Sequence, residues 1–426
     1  MIKKLVNLIY ILFIVLFLIS SIIQPQGMNL IPINILAIIG LILLKKHKIE
    51  IKNFNILIII GVIIRIFLLF IDPLCITNDY GNFYYPALEL AEKGYTNSQY
   101  MAMYPHLLPY IATLAFIFKI IGSTYKSVII LNILFDIFSA FIIYKITNNK
   151  KICILWLLNP LNIVWCYMCH PATITNSLLI LSIYIFKKLY ENKKILYSLL
   201  LGITLALANL YRPVMIIFLI AIFIYLIILK YKKIHIILFI LILQTYLFTG
   251  YVIKNNIKFN KWEKTKSTLG WNLYVGANLE STGRYSLKLG EELNKQLKKE
   301  KDVTKIQEHF KEKAIMTYKK NGIKNIPLIV KKYILISNNI DIYSINEMNF
   351  ILNFKMNKIL KYLISVISRM FYYYILVKGI TNKNNDHLKL FSIGLLLAHF
   401  ILEVSPRYLL PIFPALTILT NNDEKV

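Results

Sequence analysis

Apolar runs long enough to cross a bilayer recur along this sequence from Leu5 to its last residues, separated only by polar connections. A hydrocarbon layer of about 30 Å takes roughly 20 apolar residues as a helix, and without water only helices or closed barrels satisfy every backbone group. The runs therefore predict an all-α fold, a polytopic transmembrane helix bundle of about 11–13 crossings. Charge supports this, since only 16% of the 426 residues are charged, against about a quarter in soluble proteins. The missing charge belongs to lipid-facing surface, and residues 1–421 read as a single transmembrane domain with 422–426 as a cytoplasmic tail.

The remaining charge is lopsided, with 49 Lys and Arg against 21 Asp and Glu. A nucleic-acid partner would gather the basic residues on one polar face. Here they sit mostly in short loops between apolar runs, where anionic membrane lipids and the positive-inside rule account for them and no nucleic acid is expected. The four cysteines form no disulfide framework. Cys166-x-x-Cys169 beside His170 hints at metal or redox chemistry, but it lies in an apolar run with no second ligand pair nearby and reads as incidental. Richness in Ile, Asn, Lys and Tyr suggests an AT-rich, bacterial genome.

Met1-Ile2-Lys3-Lys4 precedes an apolar run to Ile23 that no small-residue cleavage site follows, so 1–44 reads as a retained helical hairpin. Lys-rich connections at 45–52, 148–151, 187–194 and 230–233 are expected on the cytoplasmic side. Crossings near 5–23, 29–44 and 54–71 then place 72–105 outside as a first external loop, carrying Asp72, Asp79, Glu89, Glu92 and a lone lysine. The apolar stretch 106–121, broken by Pro105 and Pro109 and holding Lys119, reads as interfacial or re-entrant. Further crossings are expected near 127–146, 152–168, 173–187, 196–211, 213–230 and 235–253. They leave 254–340 as a late external loop resting on the bundle, and crossings near 357–378, 389–404 and 406–421 complete the chain.

On this topology Asp79, His106, His170, Arg212, Glu403 and Arg407 converge at the outer ends of helices. Ionisable groups at membrane depth are costly and are functional candidates by default. Each also has a plainer reading. Asp79 precedes an amphipathic interfacial helix and can cap its amides. Arg212, in Asn209-Leu210-Tyr211-Arg212-Pro213, can snorkel to the interface. Arg407 can pair with Glu403 one helical turn earlier. Histidines at helix ends are commonly structural, and Trp262, Trp271 and Tyr274 suit an interfacial belt as well as a sugar. Arg65 and Asp136, inside proposed crossings, can pair with each other as a structural element.

Some of these residues resemble a known family. Asp79 followed by Tyr84-Tyr85, Ala87, Leu90-Ala91 and Gly94 resembles the first external loop of GT-C membrane glycosyltransferases, in the branch of protein O-mannosyltransferases and the lipid A aminoarabinose transferase. Tyr104-Pro105-His106-Leu107 and Asn159-Pro160 stand where such proteins carry proline-containing stretches. Gly270-Trp271-Asn272-Leu273-Tyr274-Val275-Gly276 is similar to their late external loop, and Glu403-x-x-x-Arg407-Tyr408-Leu409-Leu410-Pro411 to their last helix junction. The chain departs from the family in its extra N-terminal hairpin, in lacking a large soluble C-terminal domain, and in showing no clear second acid beside Asp79. Asp72 is the nearest counterpart, so a divalent metal (Mg or Mn, on Asp79 or Asp72) stays open.

The resemblance implies transfer of a sugar from a polyprenyl-phosphate donor to an acceptor (protein, glycan or lipid) on the extracytoplasmic face, with inversion. Asp79 would be the base, Arg212 and Arg407 would bind the donor phosphate, and Tyr84, His106, His170, Trp271 and Glu403 would contact substrate. Two rivals remain at this stage. A polyprenyl-linked polysaccharide polymerase or ligase should carry key arginines in a large late loop, yet Arg284 is the lone arginine of 254–326. A lipid-linked sugar flippase or transporter should place ionisable groups at the midplane and repeat its halves.

Overall fold

Among the described residues, four helices are long and apolar enough to span a bilayer: Ile2–Ile22, Tyr125–Thr147, Ala172–Asn192 and Lys358–Thr381. Shorter apolar helices accompany them at Ile31–Leu44, Phe54–Phe70, Pro105–Ile121, Ile195–Tyr211, Pro213–Leu226 and Ile236–Gly250. The chain is an all-α, multi-pass membrane protein with no strand among the described residues. This computed structural model describes residues 2–22, 30–46, 53–73, 76, 78–228, 233–256, 269–337, 340–351, 356–382 and 384–421. Trp262, the tail 422–426 and parts of the connections 45–52 and 230–233 lie outside the described residues.

Prolines decide where the expected crossings break. A single helix expected near 152–168 is instead two, Lys150–Leu158 and Pro160–Tyr167. Pro160 has no N–H to donate, and the Asn159 side chain accepts from Leu161 N at 3.1 Å, so a new helix starts there. The last two crossings, expected near 389–404 and 406–421, are also shorter than anticipated. Asp386–Ala398 has 13 residues and Ile412–Leu419 has 8, roughly 20 and 12 Å long at about 1.5 Å per residue. Pro406 opens a 3₁₀ turn between them.

Charges inside the bundle are paired. Arg65 Nε donates to Asp136 Oδ2 at 2.7 Å, and its Nη1 reaches the carbonyls of Gly61 (2.8 Å) and Leu157 (2.7 Å). Trp156 Nε1 completes the carboxylate at 2.9 Å. This knot fastens the helices Phe54–Phe67, Tyr125–Thr147 and Lys150–Leu158 to one another. A second buried pair, Arg369 with Asp341 at 3.0 Å, joins Lys358–Thr381 to Ile340–Ile351.

Two helical layers pack against the bundle. The first is the helix Asn78–Lys93, continuous through Pro86, which packs on Leu108–Ile121 with Phe83 edge-on to Tyr110 at 5.5 Å. The second comprises Leu269–Ala277, Leu287–Lys299, Val303–Asn321, Asn325–Ser337 and Ile340–Ile351. It is seated on the bundle through Tyr333 Oη to Phe13 O (2.5 Å) and Trp165 Nε1 to Ser344 Oγ (2.9 Å).

Removing one partner of the Arg65–Asp136 knot strands a buried charge, at a cost of about 3–5 kcal/mol. Asp136→Ala is expected to lower thermal stability in detergent sharply, while Arg65→Met with Asp136→Leu restores most of it. Fluorescence-detected size exclusion after heating checks this, and a double variant as unstable as the single one would contradict it.

Candidate active site

A cavity of about 860 Å³ opens between the two layers and the bundle. Its wall collects residues far apart in the chain: Asp79, His106, His170, Arg212, Trp271, Glu403 and Arg407 all line it. The size lies in the range of small-molecule sites, roughly 300–1,000 Å³.

Asp79 lies in the first turn of Asn78–Lys93, where the helix dipole favours a carboxylate. Its Oδ2 accepts from Nη2 of Arg407, so the carboxylate is ion-paired across the cavity. The same helix sends Asn82 and Phe83 into the cavity, three and four positions on. Tyr84, expected to contact substrate, is a further step round and lies outside the lining. Its hydroxyl donates to Ser123 O at 2.9 Å and its ring meets Phe118. Asp72 is exposed, 3.9 Å from Lys126, and also stands apart from the cavity.

Arg407 follows Pro406 in the 3₁₀ turn 406–409, and 399–405 before it is not helical, so no helical turn joins Glu403 to Arg407. Burial works against the Arg407 charge, but the Asp79 carboxylate, joined by Tyr408, Tyr343 and Tyr80, more than offsets it and holds the guanidinium well above its ordinary value. Its Nε is buried with no hydrogen-bond partner among the described residues. Arg212 enters the same lining from the break between Ile195–Tyr211 and Pro213–Met215. Its Nη1 is likewise buried and unpartnered, and burial, with Arg407 contributing, draws its pKa down to about 10. It stays charged at neutral pH. Two guanidinium groups thus line one cavity, each with a buried nitrogen that has no partner among the described residues.

Glu403 sits below Arg407. Burial pushes its pKa up to about 7; Arg407 opposes that shift and Asp79 adds to it. The loop carrying it is held by the late layer: Glu403 N donates to Asn272 O (2.9 Å) and Val404 N to Gly283 O (2.9 Å). Gly276 lies so close beneath that a Cβ there would stand 2.5 Å from Ile401 O. Lys332, fully buried, donates from Nζ to Phe400 O (2.9 Å) and Gly276 O (3.1 Å), pinning the same loop.

His170 is packed edge-on against Trp165 (5.1 Å) and Phe83 (5.5 Å), and its Nδ1 accepts from Ala172 N at 3.1 Å. Burial, then Arg212 and Arg407, hold it well below the usual value and therefore neutral. His106 is half-buried beside Tyr104. Trp271 is buried against Phe310, 4.7 Å away and nearly perpendicular to it, so little of its ring is open to the cavity. Tyr274 is turned to Glu292 at 2.9 Å. Sequence reasoning missed Tyr100, Gln99, Asn272, His399 and Tyr408, all in the lining. Tyr408, adjacent to Arg407, and Asn272, adjacent to Trp271, were the two with a usable signal, since both stand in the motifs.

Asp79 and Glu403 are the carboxylates in the lining, and no group of three His, Cys, Asp or Glu side chains able to hold a metal occurs among the described residues. With Asp79 already engaged by Arg407, the donor set falls short of a protein-only metal cage.

No curated protein matches this sequence significantly. Residues 104–253, just over a third of the chain, match the family model described as dolichyl-phosphate-mannose-protein mannosyltransferase. They include His106, His170 and Arg212 of the cavity. On that match the chain is similar to the membrane glycosyltransferases of the GT-C type, in agreement with the resemblance read from its loops.

Proposed function

We propose that the protein transfers a sugar from a polyprenyl-phosphate-linked donor to an acceptor on the extracytoplasmic face, with inversion at the anomeric carbon. The observation that carries this reading is one cavity lined by a carboxylate, Asp79, and by two arginines with unsatisfied donors, Arg212 and Arg407. Arginine's planar fork suits a phosphate.

In this reading the donor phosphate enters between Arg212 and Arg407 and competes with Asp79 for Arg407. The exchange frees the carboxylate beside the anomeric carbon. An acceptor hydroxyl or amide then loses its proton to Asp79 as its heteroatom bonds to that carbon. The bond from the anomeric carbon to the phosphate oxygen breaks, and its electron pair leaves on polyprenyl phosphate, which the two guanidinium groups stabilise. The leaving group departs as an anion and needs no acid. One displacement without an enzyme-bound sugar gives inversion. Neutral His170 adds no charge to the site, and Asn82, Gln99 and Asn272 in the lining offer neutral partners for sugar hydroxyls.

Asp79→Asn is expected to reduce transfer by about 10²–10⁴-fold with donor binding retained, while Arg212→Gln chiefly raises the donor KM. Proteoliposomes supplied with radiolabelled polyprenyl-phosphate sugars check both. Full activity in Asp79→Asn would remove the base from the mechanism. Movement of the lipid between leaflets without transfer would favour a flippase.

The donor phosphodiester keeps one negative charge across the neutral range, so Glu403 sets the pH response. Below about pH 7 Glu403 is neutral and leaves the arginine field to the phosphate; above it, the carboxylate draws on Arg407. Donor affinity is expected to fall as pH rises through about 7, and Glu403→Gln should flatten the profile. A wild-type donor KM independent of pH from 6 to 8 would contradict this assignment (about one unit either side of the midpoint).

A further inference from the structure

The helix Asn325–Ser337 is covered on one face only. Leu328, Lys332, Tyr333 and Ile336 are buried, whereas Ile326 is 64% and Val330 54% exposed. At the Gly322 turn before it Ile323 is 83% exposed, and Met316 on the preceding helix is 62% exposed. Exposed Lys319, Lys320, Lys324 and Lys331 rim this apolar surface, and no acidic residue occurs from Met316 to Lys332. An apolar patch ringed by lysine is the pattern of an interfacial element whose cations reach lipid phosphates while its side chains enter the acyl region.

Its seating says what lies opposite. Tyr333 Oη donates to Phe13 O at 2.5 Å, and the Ser337 and Ser20 hydroxyls are hydrogen-bonded. Phe13 and Ser20 belong to Ile2–Ile22, one of the helices long enough to cross. The buried face is therefore laid along a helix long and apolar enough to cross a bilayer, and the uncovered face points away from it.

We propose that Met316, Ile323, Ile326 and Val330 are seated in the leaflet nearer the cavity, and that Lys319, Lys320, Lys324 and Lys331 bind the headgroups of anionic phospholipids there. The layer thus anchored also supplies Trp271, Asn272, Tyr285 and Asn294 to the cavity wall, so lipid contact steadies that wall of the site.

The test uses the full chain in lipid nanodiscs, labelled with bimane at Ile323→Cys, with Ile326→Cys as a second position and the unsubstituted protein as the labelling blank. Bimane fluorescence is expected to be blue-shifted, quenched by lipids carrying a nitroxide near the headgroup and shielded from aqueous iodide. Quenching should grow as phosphatidylglycerol replaces phosphatidylcholine, and Lys319→Gln with Lys320→Gln and Lys324→Gln should abolish that growth. Quenching by iodide alone would overturn the seating. Shielding from both quenchers would also overturn it, because a protein would then cover the patch. Lipid quenching indifferent to headgroup charge would overturn the lysine assignment.

Discussion

A charge inside a lipid-embedded bundle must be neutralised by a partner it can reach, since desolvating it alone costs more than a fold of this kind can bear. That requirement organises the molecule. Arg65 and Asp136 meet it completely, with a carboxylate, two carbonyls and an indole closing around one guanidinium. Arg369 and Asp341 are a second pair with essentially no exposure. Asp79, Arg407 and Arg212 meet it only in part, because Asp79 pairs with Arg407 alone and each arginine keeps a buried nitrogen with no hydrogen-bond partner among the described residues. The contrast separates charges that hold helices together from charges that are available to an anion.

The site also shows how backbone breaks serve chemistry. Pro213 ends the helix that delivers Arg212, and Pro406 opens the turn that delivers Arg407. The loop between Ala398 and Pro406 is then free to be held from outside. Asn272, Gly283 and Lys332 each fasten it, and Lys332 is held in turn by Gly276 O, so the late layer acts as a brace for Glu403 and Arg407 as well as a wall. Placing Gly276 where a side chain would strike Ile401 O allows that brace to sit close.

Much of this was legible in the sequence, and for identifiable reasons. Apolar runs gave the class, and the isolated charges at their ends, Asp79, Arg212, Glu403 and Arg407, stood out because lipid makes such residues expensive. The pairing of Arg65 with Asp136 followed from two opposite charges in neighbouring runs. What was not legible depended on long-range packing. Nothing local turns Tyr84 away while admitting Phe83, since that is set by the neighbouring helix Leu108–Ile121. Lys332 looked like one lysine in a basic stretch, and only the fold buries it under Phe400. The break at Asn159-Pro160 was visible as a motif, but a continuous hydrophobic run outweighed it in the crossing assignment.

The central claim is the exchange of Arg407 from Asp79 to a lipid phosphate. A structure of the protein in nanodiscs with a polyprenyl phosphate bound tests it most directly. The account predicts the phosphate between Arg212 and Arg407, with the Asp79–Arg407 pair opened and the Asp79 carboxylate facing the space next to the phosphate. A phosphate bound elsewhere, with the Asp79–Arg407 pair still closed, would contradict it.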